Sequence, residues 1–91
     1  ALLTVSHAEK TMEPILYEIG PGGESGRNSY SHSGEEFIYI TQGELEVYIN
    51  DTVYKLKEGD SLYFKSNQQH RFKNSSKKET KAIWVVSPPG F

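Results

Sequence analysis

Between Glu44 and Leu56 the chain has little choice of conformation. Leu45, Val47 and Ile49 alternate with Glu44, Glu46 and Tyr48. Only an extended strand turns a period of two into one apolar and one polar face. Asn50-Asp51 follows, a two-residue link of the kind that closes a tight hairpin, and Thr52–Leu56 returns along it. An amphipathic helix would put Leu45, Val47 and Ile49 on no common side, so this stretch commits the chain to β structure.

Punctuation of the same kind recurs along the chain. Ile15–Ile19 reads as a short strand ended by Gly20-Pro21-Gly22-Gly23, and a Gly- and Ser-rich loop runs on through Ser29. Phe37–Thr41 is a strand turned by Gln42-Gly43. Lys57–Asp60 turns again, Ser61–Phe64 is a strand, and Lys65–Gln69 is a polar loop. His70–Lys73 and Thr80–Val86 complete the set, separated by a solvated turn from Asn74 to Lys78. Pro88-Pro89 cannot continue a ladder. Seven or eight short strands at this spacing predict an all-β fold, an antiparallel sandwich or closed barrel. Residues 1–13, with Leu2, Leu3 and Val5 as their apolar cluster, read as an N-terminal arm or edge strand.

The chain of 91 residues suffices for one domain, 1–91, and not two. It starts at Ala1, as a processed chain or a fragment would. A net charge of −2 gives no electrostatic case for nucleic acid or an anionic membrane. No apolar run approaches the roughly 20 residues of a membrane helix. The absence of cysteine excludes disulfides and thiolate metal sites and fits a reducing cytoplasm, the expected location.

Alternation also sorts the polar residues. Glu36, Ile38 and Ile40 share one strand face, and His70, Phe72 and Asn74 share another. Two strands that each set a metal-capable group beside apolar residues describe a polar site inside an apolar cavity, with Ile38 and Phe72 lining it. On an extended strand His32 and Glu36 would stand roughly 13 Å apart, too far for one metal ion, so the chain must fold back at Ser33-Gly34.

The stretches Tyr30-Ser31-His32-Ser33-Gly34-Glu35-Glu36 through Gly43, and Gly59 through His70 to Asn74, resemble the two motifs of the cupin superfamily. His32 matches the second histidine of the first motif, Glu36 its glutamate and Gly43 its closing glycine; Gly59, His70 and Asn74 match the second motif. The departures are Tyr30 in place of the first histidine, an opening glycine out of register, and Lys65 and Asn67 in place of Pro and Gly. The resemblance implies a jelly roll, or double-stranded β-helix. It also implies that His32, Glu36 and His70 hold a divalent ion (Fe, Ni, Mn or Zn) as a two-histidine, one-carboxylate set. Such a metal is expected to leave as pH falls below the histidine reference of about 6.5.

Tyr30 is expected to line the pocket as a neutral phenol. Arg27 would meet an anionic ligand at the mouth, or remain a solvated loop charge. Asn74 is expected to satisfy a turn backbone. The wording around the motifs, with Pro88-Pro89-Gly90-Phe91, is similar to the C-terminal cupin domain of bacterial helix-turn-helix (XRE-type) regulators. That resemblance implies a ligand-sensing domain for a small-molecule effector, cut from a longer regulator. It would be homodimeric and meet DNA only through an N-terminal domain absent from these residues. The alternatives are a stand-alone metal-dependent oxygenase or isomerase, and a metal-free dimerisation module. No second acid–base pair beyond the triad is visible in the sequence, which argues against an enzyme.

Overall fold

The structure, a computed structural model, describes residues 11–25 and 33–88. Every regular element among them is a strand: β1 (Glu13–Ile19), β2 (Glu35–Gln42), β3 (Glu44–Ile49), β4 (Thr52–Lys57), β5 (Ser61–Lys65), β6 (His70–Lys73) and β7 (Thr80–Ser87). The seven strands expected between Ile15 and Val86 are present, with ends that differ by at most two residues; of the arm or edge strand expected over residues 1–13, residues 1–10 lie outside the described ones. All pairings are antiparallel. One sheet has the order β1-β7-β2-β5 and the other β4-β3-β6. The chain passes between the sheets at β2–β3, β4–β5, β5–β6 and β6–β7, which is the winding of a jelly roll.

The period of two decides what each sheet turns inward. On β2, Glu36, Ile38 and Ile40 are buried while Phe37 and Tyr39 are exposed. On β3, Leu45, Val47 and Ile49 are buried, as the alternation requires. On β7 every second residue, Thr80, Ala82, Trp84 and Val86, is buried. These inner faces form one apolar cluster between the sheets, with Ile15, Tyr17, Leu62 and Phe72 packed half-buried against it.

Two junctions fix how the sheets meet. Gly43, at φ +83°, turns β2 into β3 where a Cβ would collide with the Glu79 carbonyl and the Thr80 hydroxyl. The Thr80 hydroxyl sits there because it donates to the Glu44 carbonyl and accepts from the Glu44 N–H. At the other junction Asn74 is fully buried. Its Nδ2 donates to the carbonyls of Ile19 (2.8 Å) and Lys78 (2.8 Å), and its Oδ1 accepts from the Ser76 N–H (3.0 Å). Asn74 is therefore a backbone tie, joining the end of β1 to the β6–β7 turn.

Candidate functional site

Glu36 and His70 come from different sheets and meet in the interior. Glu36 faces inward because it falls in phase with Ile38 and Ile40. Its strand enters at Gly34, φ +112°, where a Cβ would strike the Ser87 carbonyl oxygen, so only glycine lets the chain pass this close to β7. The Gly34 carbonyl accepts the Ser66 N–H at 2.9 Å, which draws the end of β5 against the start of β2. His70 opens β6 opposite Ile49 of β3 and is likewise turned inward.

His70 Nε2 lies 3.1 Å from Glu36 Oε2. The other imidazole nitrogen, Nδ1, is 2.7 Å from the Gln68 carbonyl. A carbonyl oxygen only accepts, so Nδ1 carries a proton and Nε2 is the nitrogen whose protonation can vary. The Glu36 carboxylate is also held from two other sides. The Trp84 indole N–H donates to Oε1 at 2.7 Å, and the Ser66 hydroxyl donates to Oε2 at 2.9 Å. Three donors converge on one buried carboxylate, as burial of a charge demands.

The electrostatics follow from these contacts. Burial pushes the Glu36 carboxyl pKa up, but the bonds from His70, Trp84 and Ser66 and the charge of His70 outweigh it and bring it below the ordinary carboxylate value. For His70, burial pushes the pKa down, while Glu36 and the Gln68 carbonyl raise it further, and the net direction is up. The pair therefore favours carboxylate and imidazolium. Nearby, burial and then the Glu36 charge push the Tyr17 phenol up, so Tyr17 stays protonated.

The same two donors suit a metal ion. Ligands on adjacent positions of one ion, each about 2.1 Å from it, stand about 3 Å apart, which is the Glu36–His70 separation. The Gln68 carbonyl orients the ring as the outer partners of metal-bound histidines do. Among the described residues no three of His, Cys, Asp and Glu form a metal-sized group. His32, the expected third ligand, lies outside the described residues, as do Tyr30 and Arg27.

Of the other expected lining residues, Ile38 is wholly buried in the core beside the site. Phe72 is half-buried, its ring 5.1 Å from that of Trp84 and 6.2 Å from that of Tyr17. Trp84, Ser66 and Tyr17 were not legible as site residues. Trp84 and Ser66 lie 48 and 30 positions from Glu36 in the chain; Trp84 is outside both motifs, and Ser66 falls at an unspecified position between Lys65 and Asn67. The inward phase of Trp84 follows from alternation on β7, but its meeting with Glu36 does not, and Ser66 is a loop residue with no phase to read. Glu13 is a further case, a buried carboxylate whose row across β1, β7 and β2 runs Glu13, Val86, Glu36.

Comparison with known proteins identifies the fold and the family. The chain is 31% identical over 88 residues to protein SchB of Streptomyces halstedii, covering 97% of this chain and 64% of SchB, so it spans less than two thirds of that relative. Among solved structures it is similar to the Cupin_2 domain of an XRE family transcriptional regulator from Enterobacter cloacae. The TM-score there is 0.84 at 21% identity, covering 99% of this chain and 95% of that one. It is also similar to an HTH_3 family transcriptional regulator from Vibrio cholerae, with a TM-score of 0.80 at 17% identity, covering 98% of this chain and 49% of that one. At these identities the two structures speak for the fold. The family model for the cupin domain, Cupin_2, matches residues 15–86, and the chain belongs to that family.

Proposed function

We propose that this cupin domain senses a small molecule as part of a bacterial transcriptional regulator, taking its effector in the cavity at Glu36 and His70. The observation that supports this most directly is the meeting of those two buried, oppositely charged side chains at 3.1 Å between the sheets. A buried polar focus of this kind adds nothing to the core that an apolar pair would not supply, and it orients a ligand. The likeness in fold to cupin domains of helix-turn-helix regulators supports the regulatory setting.

His32, Glu36 and His70 are the residues that would hold a divalent ion, with Tyr30 and Arg27 toward the ligand. Such an ion would supply a Lewis-acidic point for a ligand oxygen. The chain's own residues do the rest. Trp84 and Ser66 fix the carboxylate, Gln68 fixes the imidazole, and the apolar surroundings exclude water. The cytoplasm is the expected location of such a regulator.

A homodimer fits the outer face of the larger sheet. Phe37, Val85, Pro14 and Tyr63 fall in one cross-strand row, and Tyr39, Ile83 and Leu16 in the next. Phe37, Tyr39 and Tyr63 are all more than a third exposed. An apolar row of this extent on a sheet surface is suited to a second copy.

The test is elemental analysis of untagged protein after metal loading and dialysis, wild type beside His70→Ala. About one divalent ion per wild-type chain and none in the variant is the expected result. Negligible metal in both would overturn the metal part and leave an organic effector bound by the cavity alone.

The alternative is a metal-dependent oxygenase or isomerase. Oxygen consumption by the metal-loaded chain with candidate organic acids separates oxygenase from sensor.

A further inference from the structure

A cavity of about 210 Å³ opens on the outer side of the smaller sheet. The alternation that turns Leu45 and Val47 inward turns Glu44 and Glu46 outward, and Lys55 stands opposite Glu46 in register. The β6–β7 turn brings Ser75 and Ser76 against them. All five line the cavity, with Leu45 and Leu56 between them. We propose that this cavity takes a basic α-amino acid such as lysine, at a ligand site separate from Glu36 and His70.

The lining is rich in acceptors and has spent its hydroxyl protons. The Ser75 and Tyr48 hydroxyls both donate to Glu46 Oε1, each at 2.8 Å. The one Ser76 hydroxyl proton goes to Asn74 Oδ1 at 2.6 Å or to the Lys78 carbonyl at 3.0 Å. Glu46 Oε2 and the Glu44 carboxylate make no hydrogen bond or ion pair among the described residues. What remains is lone pairs on two carboxylates and two hydroxyls, and these call for a ligand that brings N–H donors. The bonds from Ser75 and Tyr48, and behind them the charges of Lys55 and Lys73, outweigh partial burial and lower the Glu46 carboxyl pKa. Glu46 therefore meets such a ligand as a carboxylate.

Charge and length name the class. The lining holds two carboxylates and one ammonium, that of Lys55. Lys57 and Lys73 stand opposite Glu44 and Glu46 in register, but outside the lining. Free lysine carries the reverse, two ammonium groups and one carboxylate. Glu44 and Glu46, two residues apart on a strand, are separated by roughly 6.7 Å. The four-carbon stem of lysine sets its two ammonium groups a comparable distance apart. With the α-ammonium on Glu46 and the other on Glu44, the ligand's carboxylate falls beside Lys55, and its stem lies along Leu45 and Leu56. The cavity is smaller than the roughly 300 Å³ at which sites for drug-sized ligands begin, which suits a single amino acid.

The test is a nuclear magnetic resonance titration of the isotope-labelled chain with three probes. These are L-lysine, L-norleucine, which lacks the second ammonium, and cadaverine, which lacks the carboxylate. Lysine should shift the amide signals of residues 44–46, 55–56 and 75–76. It should bind about ten-fold more tightly than either of the others, the scale of one charge-assisted contact. Glu46→Gln should weaken lysine binding by about ten-fold, with Glu44→Gln as the second variant should Glu46→Gln fail to fold. Lys55→Met should bring lysine to the level of cadaverine. No shift at these residues, norleucine or cadaverine binding as tightly as lysine, or an affinity undiminished in both glutamate variants would overturn the inference. So would shifts confined to the surroundings of Glu36 and His70.

Discussion

The half of the interior where Ile40, Leu45, Val47, Leu56 and Ala82 pack and the half around Glu36 and His70 are built on some of the same strands. β2 contributes Ile40 to one and Glu36 to the other; β7 contributes Ala82 to one and Trp84 to the other. The first half is aliphatic. The second has a buried carboxylate with three donors, and rings on its inner face that solvent still reaches. The contrast teaches that aliphatic packing and the buried polar pair are divided along the length of the strands and not between the sheets. The aliphatic half can hold the fold while the polar half is altered, and that separation can be tested.

The largest effect is expected from breaking the aliphatic half. Val47 is 1% exposed, and Val47→Asp would bury an unpaired charge there. The cost is several kcal/mol, against a total stability of roughly 5–15 kcal/mol for a domain of this kind, so the variant should be unfolded. Near-ultraviolet circular dichroism would read this; native spectra from Val47→Asp would refute the assigned facing.

In the polar half, Glu36→Ala removes the shared acceptor of Trp84, Ser66 and His70 at once. A loss of about 3–5 kcal/mol by urea titration is expected, as for a broken buried pair. His70→Ala leaves Trp84 and Ser66 on the carboxylate and should cost less, with the chain still folded at 25 °C. If His70→Ala destabilises as much as Val47→Asp, the two halves are not separable.

The pH dependence of the metal-free chain sharpens the comparison, because the described aliphatic half holds no titrating group. The lowered Glu36 pKa contributes stability that is present above the unfolded carboxyl value of about 4.3 and is lost as pH falls through the folded value. The raised His70 pKa contributes stability that is present below about 6.5 and is lost as pH rises through the folded value. The pair should therefore stabilise most between about 4.3 and 6.5. Melting temperatures followed from within this window to higher pH should decline above about 6.5 in the wild type, and that decline should vanish in His70→Ala.

The smallest effect on stability belongs to the outer face. Phe37→Lys should change the stability of the folded chain by no more than about 0.5 kcal/mol, since Phe37 is 40% exposed. It should nevertheless shift sedimentation from dimer to monomer at micromolar concentration. A wild-type monomer would remove the interface from the account.

What the sequence by itself determined is the list of strands and the phase of each. A period of two is local, so Glu36 with Ile38 and Ile40, Leu45 with Val47 and Ile49, and His70 with Phe72 and Asn74 could be sorted onto faces before any strand was placed beside another. Turn chemistry at Asn50-Asp51, Gln42-Gly43 and Ser33-Gly34 is equally local. Family wording added that Glu36 and His70 belong together. Only the tertiary structure decided which strands lie opposite one another. Phase says that Trp84 and Tyr17 point inward, but not that their rings stand perpendicular or that the indole N–H reaches Glu36. It says nothing of Ser66, a loop residue drawn in by the Gly34 carbonyl. Those contacts join residues dozens of positions apart, and their partners are set by the order of strands in two facing sheets, which no pattern within a single strand can encode.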